Sequence, residues 1–217
     1  ARPARAQCAK ENLAFESEEI IHYQVSYNWK FVWVNAGEVT FSVAEDNWSD
    51  QPAYHITGKG KSYPFYDFIY KVRDKYEVWA DTATLSPYYF ERKTREGKQR
   101  VHNRYTFDQP AGKVYAQLNS SDTSAWQATL SWSDCTFDVL SLIYQARNFD
   151  YDSFTPGDTI PISALIDGVT YDSLYIRYLG EERFHNRDGR TYDCLKFKPL
   201  LVECTIFSGG EDMTVWV

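Results

Sequence analysis

The chain has 217 residues and a formal net charge of −7, and 17% of it is Phe, Trp or Tyr. The acidic balance argues against a general nucleic-acid binder, which needs basic surface to displace counterions from phosphates, and against a protein held broadly, over its whole surface, on anionic lipid. No apolar run approaches the ~20 residues of a membrane-spanning helix, and dense aromatic and β-branched residues predict sheet.

At the N-terminus, Ala4-Arg5-Ala6 has the small-x-small form of a signal-peptidase site, with cleavage before Gln7. That predicts export. Cys8 follows, but Gln7 does not suit lipid modification of a cysteine.

Residues 20 to 34 alternate with period two. Ile21, Tyr23, Val25, Tyr27, Trp29, Phe31 and Trp33 form one apolar face, which predicts a strand with one side buried. Near Val32 both faces become apolar. Asn35-Ala36-Gly37 then interrupts the run before Val39, Phe41 and Val43, which predicts a hairpin turn or a bulge at Gly37. Further alternating runs follow at 53–57, 71–80, 88–94, 100–107, 114–118, 159–166, 173–183 and 191–197. Clusters of Gly, Pro, Asn and Asp separate them, Asp167-Gly168 among them. This punctuation predicts an all-β antiparallel meander, forming a curled sheet or open barrel. With no repeat or linker, one exported β domain over residues 1–217 is expected.

One segment breaks the pattern. In Asp134–Asn148, Val139, Leu140, Ile143 and Ala146 fall on one helical face, so one packed helix is expected near 135–147. Asp134 or Thr136 suits its cap, Asp138 its first turn and Arg147 its last. The chain closes on Met213-Thr214-Val215-Trp216-Val217, a strand pattern that predicts an open sheet edge.

Four cysteines, Cys8, Cys135, Cys194 and Cys204, lack the C-x-x-C spacing of zinc or redox sites and allow three pairings. Cys194 and Cys204 lie symmetrically about Pro199. A hairpin there would bridge them and leave Cys8 to Cys135, which fits an oxidising compartment. Four free thiols are the alternative.

Several segments carry a family resemblance. They are Cys8 with Asn12–Phe15, Tyr27–Val43, Tyr70–Asp81, Phe137–Arg147 and Tyr192–Phe197. In order and spacing the chain resembles the exported Gram-negative family known as domain of unknown function 3108, its Bacteroides-type branch above all. The resemblance implies a signal peptide and a curled antiparallel fold similar to small capsule-export envelope lipoproteins. It also implies two or three strands beyond Trp216, and it carries over no catalytic residue.

The histidines His22, His55, His102 and His185 show no metal-ligand spacing, and no nucleophile elbow or phosphate loop is present, so no metal, cofactor or catalytic residue is expected. Two stretches remain as binding candidates. Tyr63, Phe65, Tyr66 and Phe68 sit in an aromatic run too dense for one strand face, suited to sugar stacking or an acyl chain. Arg92, Arg95, Arg100 and Arg104 make a basic hairpin face suited to phosphate or carboxylate groups, or to keeping a sheet edge from pairing. The function expected first is non-enzymatic: binding an envelope lipid or polysaccharide in the concavity, in the periplasm or at the outer membrane of a Gram-negative bacterium. An assembly subunit of an envelope export system, contacting an envelope protein, and a glycan hydrolase are the alternatives. Charges on the outward strand faces weigh against a membrane-embedded barrel.

Overall fold

A computed structural model describes residues 11–29, 32–200, 202, 210–211 and 213–217. The first eight strands are β1 (Ile20–Trp29), β2 (Val32–Trp48), β3 (Gln51–Ser62), β4 (Val72–Asp81), β5 (Pro87–Glu96), β6 (Gln99–Asp108), β7 (Lys113–Ser120) and β8 (Thr123–Ser131). Each pairs antiparallel with the next, in chain order, as one open eight-stranded sheet. Its edges are β1 and β8. The expected antiparallel meander is therefore present, unclosed.

The interrupted run at Asn35-Ala36-Gly37 is a bulge. Ser26 faces Asn35 and Val25 faces Gly37, so Ala36 is the extra residue. Its carbonyl accepts from the Tyr63 N–H at 2.9 Å. Gly37 is required by space, since a Cβ there would lie 2.5 Å from the Lys61 carbonyl oxygen. The reversal instead falls earlier, between Trp29 and its partner Val32. The continuous strand expected over 20–34 is thus two strands. Alternation could not locate the turn because the apolar set Tyr27, Trp29, Phe31 and Trp33 continues through it without a break.

The chain then enters a second sheet. Thr136–Asp138 is β9, followed by helix α1 (Val139–Ala146), a 3₁₀ turn at Tyr151–Ser153, and β10 (Thr159–Ile166), β11 (Val169–His185), β12 (Thr191–Pro199) and β13 (Val215–Trp216). The order is β13-β12-β11-β10-β9, with β9 parallel to β10 and the other pairs antiparallel. The helix is shorter than expected and starts later. Asp138, not Asp134 or Thr136, is the cap: its carboxylate accepts from the N–H groups of Leu140 and Ser141. Burial pushes the Asp138 carboxyl up to about 6, against the hydrogen bonds from Ser141 and Leu140.

Two apolar clusters meet at the helix. On one side Leu140 and Tyr144 pack with Phe15, Val43, Ile56, Val78, Phe90 and Tyr105 on the inner face of the large sheet. On the other, Ala146 packs with Phe149, Tyr151, Ile160, Ile176 and Phe197 of the second sheet. Arg147 ties the segment before β1 to the helix. It grips Glu19 through two hydrogen bonds of 2.6 and 2.8 Å and lies over the rings of Phe15 and Tyr144.

Cys194 is a free, half-buried thiol, so the expected Cys194–Cys204 bridge does not form. Its strand neighbour is Glu182 on β11, and among the described residues β12 lies between β11 and β13. Cys8 and Cys204 lie outside the described residues, and with them the pairing of Cys135; the cleavage site at Ala4–Gln7 lies outside them too.

Candidate functional site

Strand pairing keeps side chains of opposed residues on one face. On the inner face, Ile56, Val78, Phe90, Tyr105 and Ala116 form one cross-strand row. The next row is Gly58, Tyr76, Arg92, Asn103 and Leu118, and the one beyond it begins with Gly60, Asp74, Thr94 and Val101. A cavity of about 750 Å³ is floored by Phe90 and Tyr105 of the first row, all of the second, and Gly60, Asp74 and Val101 of the third. Helix α1 contributes Val139, Leu140 and Ile143, and the second sheet contributes Ile162, Leu165, Ile166 and Leu174. A cavity of this size lies within the ~300–1,000 Å³ range of small-molecule sites.

Glycines make part of the space. Gly58 and Gly60 lie on the floor, where every other strand position would project a side chain. A Cβ on Gly60 would meet only ordinary contacts, 3.7 Å from the Asp74 Cβ and 3.8 Å from Val39. The backbone therefore does not demand glycine there. Interior strand glycine weakens a sheet and often marks close approach of a ligand.

One wall is polar. Arg92 points inward, with Nη1 donating to the Asp167 carboxylate at 2.8 Å and the guanidinium 5.7 Å from the Tyr76 ring centroid. Its Nε is buried and has no hydrogen-bond partner among the described residues. Asn103 also donates to Asp167, at 2.9 Å, and the Gly168 N–H donates to the Tyr105 hydroxyl at 2.9 Å. Asp167-Gly168 is the tight turn between β10 and β11, with φ of 47° and 80°. The turn of the second sheet thus latches onto the floor of the first. Asp74 and Glu96 line the same wall. Burial, then the neighbouring Glu96, pushes the Asp74 carboxyl up to about 6, against the Arg95 N–H and the Arg92 charge.

Asp74 does not pair with adjacent Arg73, which points outward and holds Asp67. The expected basic face splits in the same way. Arg92 belongs to the cavity, whereas Arg95, Arg100 and Arg104 are on the outer face. Strands β5 and β6 are also interior strands, so these cations guard no edge.

The outer face is organised in rows that no single strand reveals. Lys59, Lys75, Lys93 and His102 oppose one another across β3 to β6. Lys61, Arg73, Arg95 and Arg100 form the next row. Glu77 and Glu91 partly neutralise the first, pairing with Lys75 at 2.7 Å, Lys93 at 2.9 Å and His102 at 2.7 Å. In the second, Glu38 pairs with Lys61 and Asp67 with Arg73. The side chains of Lys59, Arg95 and Arg100 make no ion pair among the described residues. Each histidine has a partner within its own sheet: Thr40, Glu77, Glu91 and Thr191 for His22, His55, His102 and His185.

Tyr63, Phe65, Tyr66 and Phe68 lie in the connection between β3 and β4. Successive turns close it, with Tyr66 N–H to Tyr63 carbonyl at 2.9 Å and Tyr70 N–H to Tyr66 carbonyl at 2.9 Å. Asp67 accepts from Ser62 and from both Arg73 Nη atoms, which hold its carboxyl below the usual range. The loop is thus pinned by its polar residue, while Phe65 and Phe68 are 72% and 78% exposed. None of the four lines the cavity.

A family model described as "Protein of unknown function (DUF3108)" matches residues 22–217. The chain belongs to this family. No curated protein and no solved structure matches it. The match agrees with the resemblance at the level of the family, and it names no activity. Among the described residues no helix is long and apolar enough to cross a membrane, and no group of His, Cys, Asp and Glu could hold a metal ion.

Proposed function

We propose that this DUF3108 protein binds an amphipathic lipid in the cavity between its two sheets. The carrying observation is the cavity's largely aliphatic and aromatic lining beside a polar side that includes Asp74, Arg92, Glu96 and Asp167. An acyl chain would displace poorly held water from the apolar part, and a polar group would meet the unpartnered Arg92 Nε. A polysaccharide fits less well, because its hydroxyls would lose their hydrogen bonds over most of such a lining. Action in the Gram-negative periplasm or at the outer membrane belongs to the same proposal, supported by the Ala4-Arg5-Ala6 motif.

The test is native mass spectrometry with solvent extraction, on wild type and on Gly60→Val. Valine suits a strand and would fill the floor without backbone strain. The expected result is a lipid recovered with wild type and absent from an equally stable G60V. Wild type that carries no lipid after gentle purification would overturn the reading.

A glycan hydrolase is favoured by one observation, the raised Asp74 carboxyl beside Glu96, since separated carboxyl acidities suit acid–base chemistry. Turnover of envelope glycan that Asp74→Asn abolishes would establish it.

A further inference from the structure

We infer that the loop between β3 and β4, together with the outermost cation row, docks onto an anionic lipid surface. Two independent observations meet at one end of the sheet. The first is the loop's shape. Phe65, Phe68 and Ile69 project into water from a turn-locked segment, and Phe65 meets Phe68 edge-on at 6.0 Å, outside any core cluster. An irregular loop ordinarily turns its apolar side chains inward. This one orders its backbone through Asp67, Ser62 and Arg73 and leaves the apolar side chains outside.

The second is the charge pattern. Lys61 and Arg73 are the last outward residues before the loop and the first after it. Their row continues through Arg95 to Arg100. Spaced by the ~4.8 Å strand separation, the row spans about 14 Å. Like charges directly opposed across strands destabilise a sheet, and here they sit on interior strands of a chain whose net charge is −7. Edge protection and solubility therefore do not explain them. The hairpin after Arg95 touches the loop: the Gly97 N–H donates to the Lys71 carbonyl at 2.8 Å, and a Cβ on Gly97 would lie 2.9 Å from the Tyr70 ring.

Apolar rings flanked by cations match the interfacial region of an anionic bilayer, which accepts rings at headgroup depth and attracts Lys and Arg by surface potential. A polyanionic glycan would satisfy the row and leave Phe68 and Ile69 in water. The acidic groups nearest the row compensate only half of it. Glu38 and Asp67 pair with Lys61 and Arg73, Asp74 and Glu96 line the cavity, and Arg95 and Arg100 make no ion pair among the described residues.

The test is co-sedimentation of the intact protein with vesicles of phosphatidylglycerol and phosphatidylethanolamine, against phosphatidylcholine alone. Phe65→Ser/Phe68→Ser and Arg95→Gln/Arg100→Gln are compared with wild type after thermal melts confirm folding. Expected are binding to the anionic vesicles only, roughly thirtyfold weaker binding for the arginine pair, and at least ~tenfold weaker binding for the loop pair. G60V binds vesicles like wild type, so cavity occupancy and docking are read separately. Equal binding to both vesicle types, or unchanged binding of the arginine pair, would overturn the inference. So would wild type that ignores vesicles altogether, which would assign the loop to a protein partner.

Discussion

Asp74→Asn tests the electrostatics of the cavity wall directly. The carboxyl is pushed from 3.8 to about 6 by burial and by Glu96. Each pH unit of displacement corresponds to about 1.4 kcal/mol, so a fully buried carboxyl would be worth about 3 kcal/mol. Asp74 is only half-buried, and solvent screening reduces this to about 1 kcal/mol. The sign follows from proton binding. Between 3.8 and about 6 the folded state keeps a proton that the unfolded state has released. Stability is therefore full below the unfolded value and is lost as pH rises through about 6. Asparagine has no charge to desolvate and keeps an acceptor for the Arg95 N–H. At pH ~7.5, D74N is expected to be about 1 kcal/mol more stable, a rise of about 2–4 °C in Tm for a chain of this size. Near pH 4 the two proteins should converge. Asp138, raised for its own reason of burial, titrates in both and cancels in the difference. Melts at both pH values, on matched samples, decide the matter. D74N that melts lower than wild type at pH ~7.5 would refute the burial argument and show that the carboxylate makes a stabilising contact. The expected result would mean that the chain keeps a destabilising carboxylate in its cavity, as binding and catalytic sites often do.

Gly168→Ala should loosen the latch between the sheets. At φ +80° and 2.9 Å from the Trp126 ring, the added Cβ is expected to cost about 1–3 kcal/mol, read by urea denaturation. Phe15→Ala should cost about 3–5 kcal/mol by the same assay, because Phe15 is buried edge-on to Tyr54 and Tyr144. A loss under about 1 kcal/mol would mean that the segment before β1 is not part of the cooperative core.

Local pattern made much of this fold legible. Period-two alternation marked the strands on either side of most turns, and Asp167-Gly168 announced a tight hairpin because its backbone needs positive φ twice. The helix is visible from its apolar spacing, although the three residues before it already form a strand, and Asp138, whose spacing suits a first turn, is the cap. Strand β8 left no trace, because an edge strand exposed along most of its length has no buried face to enforce alternation. The site was less legible. The aromatic loop and the basic stretch stood out by composition, yet Arg92 parted from Arg95, Arg100 and Arg104 once side-chain direction was fixed. The cavity floor joins residues from β3 to β7 and the cation rows join residues from β3 to β6. Such rows depend on register, and a bulge such as the one at Ala36, though marked by Gly37, does not say which residues of neighbouring strands come to oppose one another.

Arg95→Thr separates a cation row kept for binding from one that merely solvates a surface. Arg95 faces Arg73 on one side and Arg100 on the other, and its side chain has no ion-pair partner among the described residues. Its backbone N–H, which donates to Asp74, survives the substitution. Removing the central charge relieves two cross-strand repulsions of a few tenths of a kcal/mol each and introduces a good strand former. R95T is therefore expected to gain about 0.5–1 kcal/mol in urea denaturation while binding anionic vesicles roughly fivefold more weakly. Opposite signs in the two assays are what a docking surface requires, since the repulsion is relieved when lipid phosphates lie over the row. Loss of stability, or vesicle binding equal to wild type, would mean that the row's charges are already screened by water and salt. The exposed rings beside it would then need another explanation.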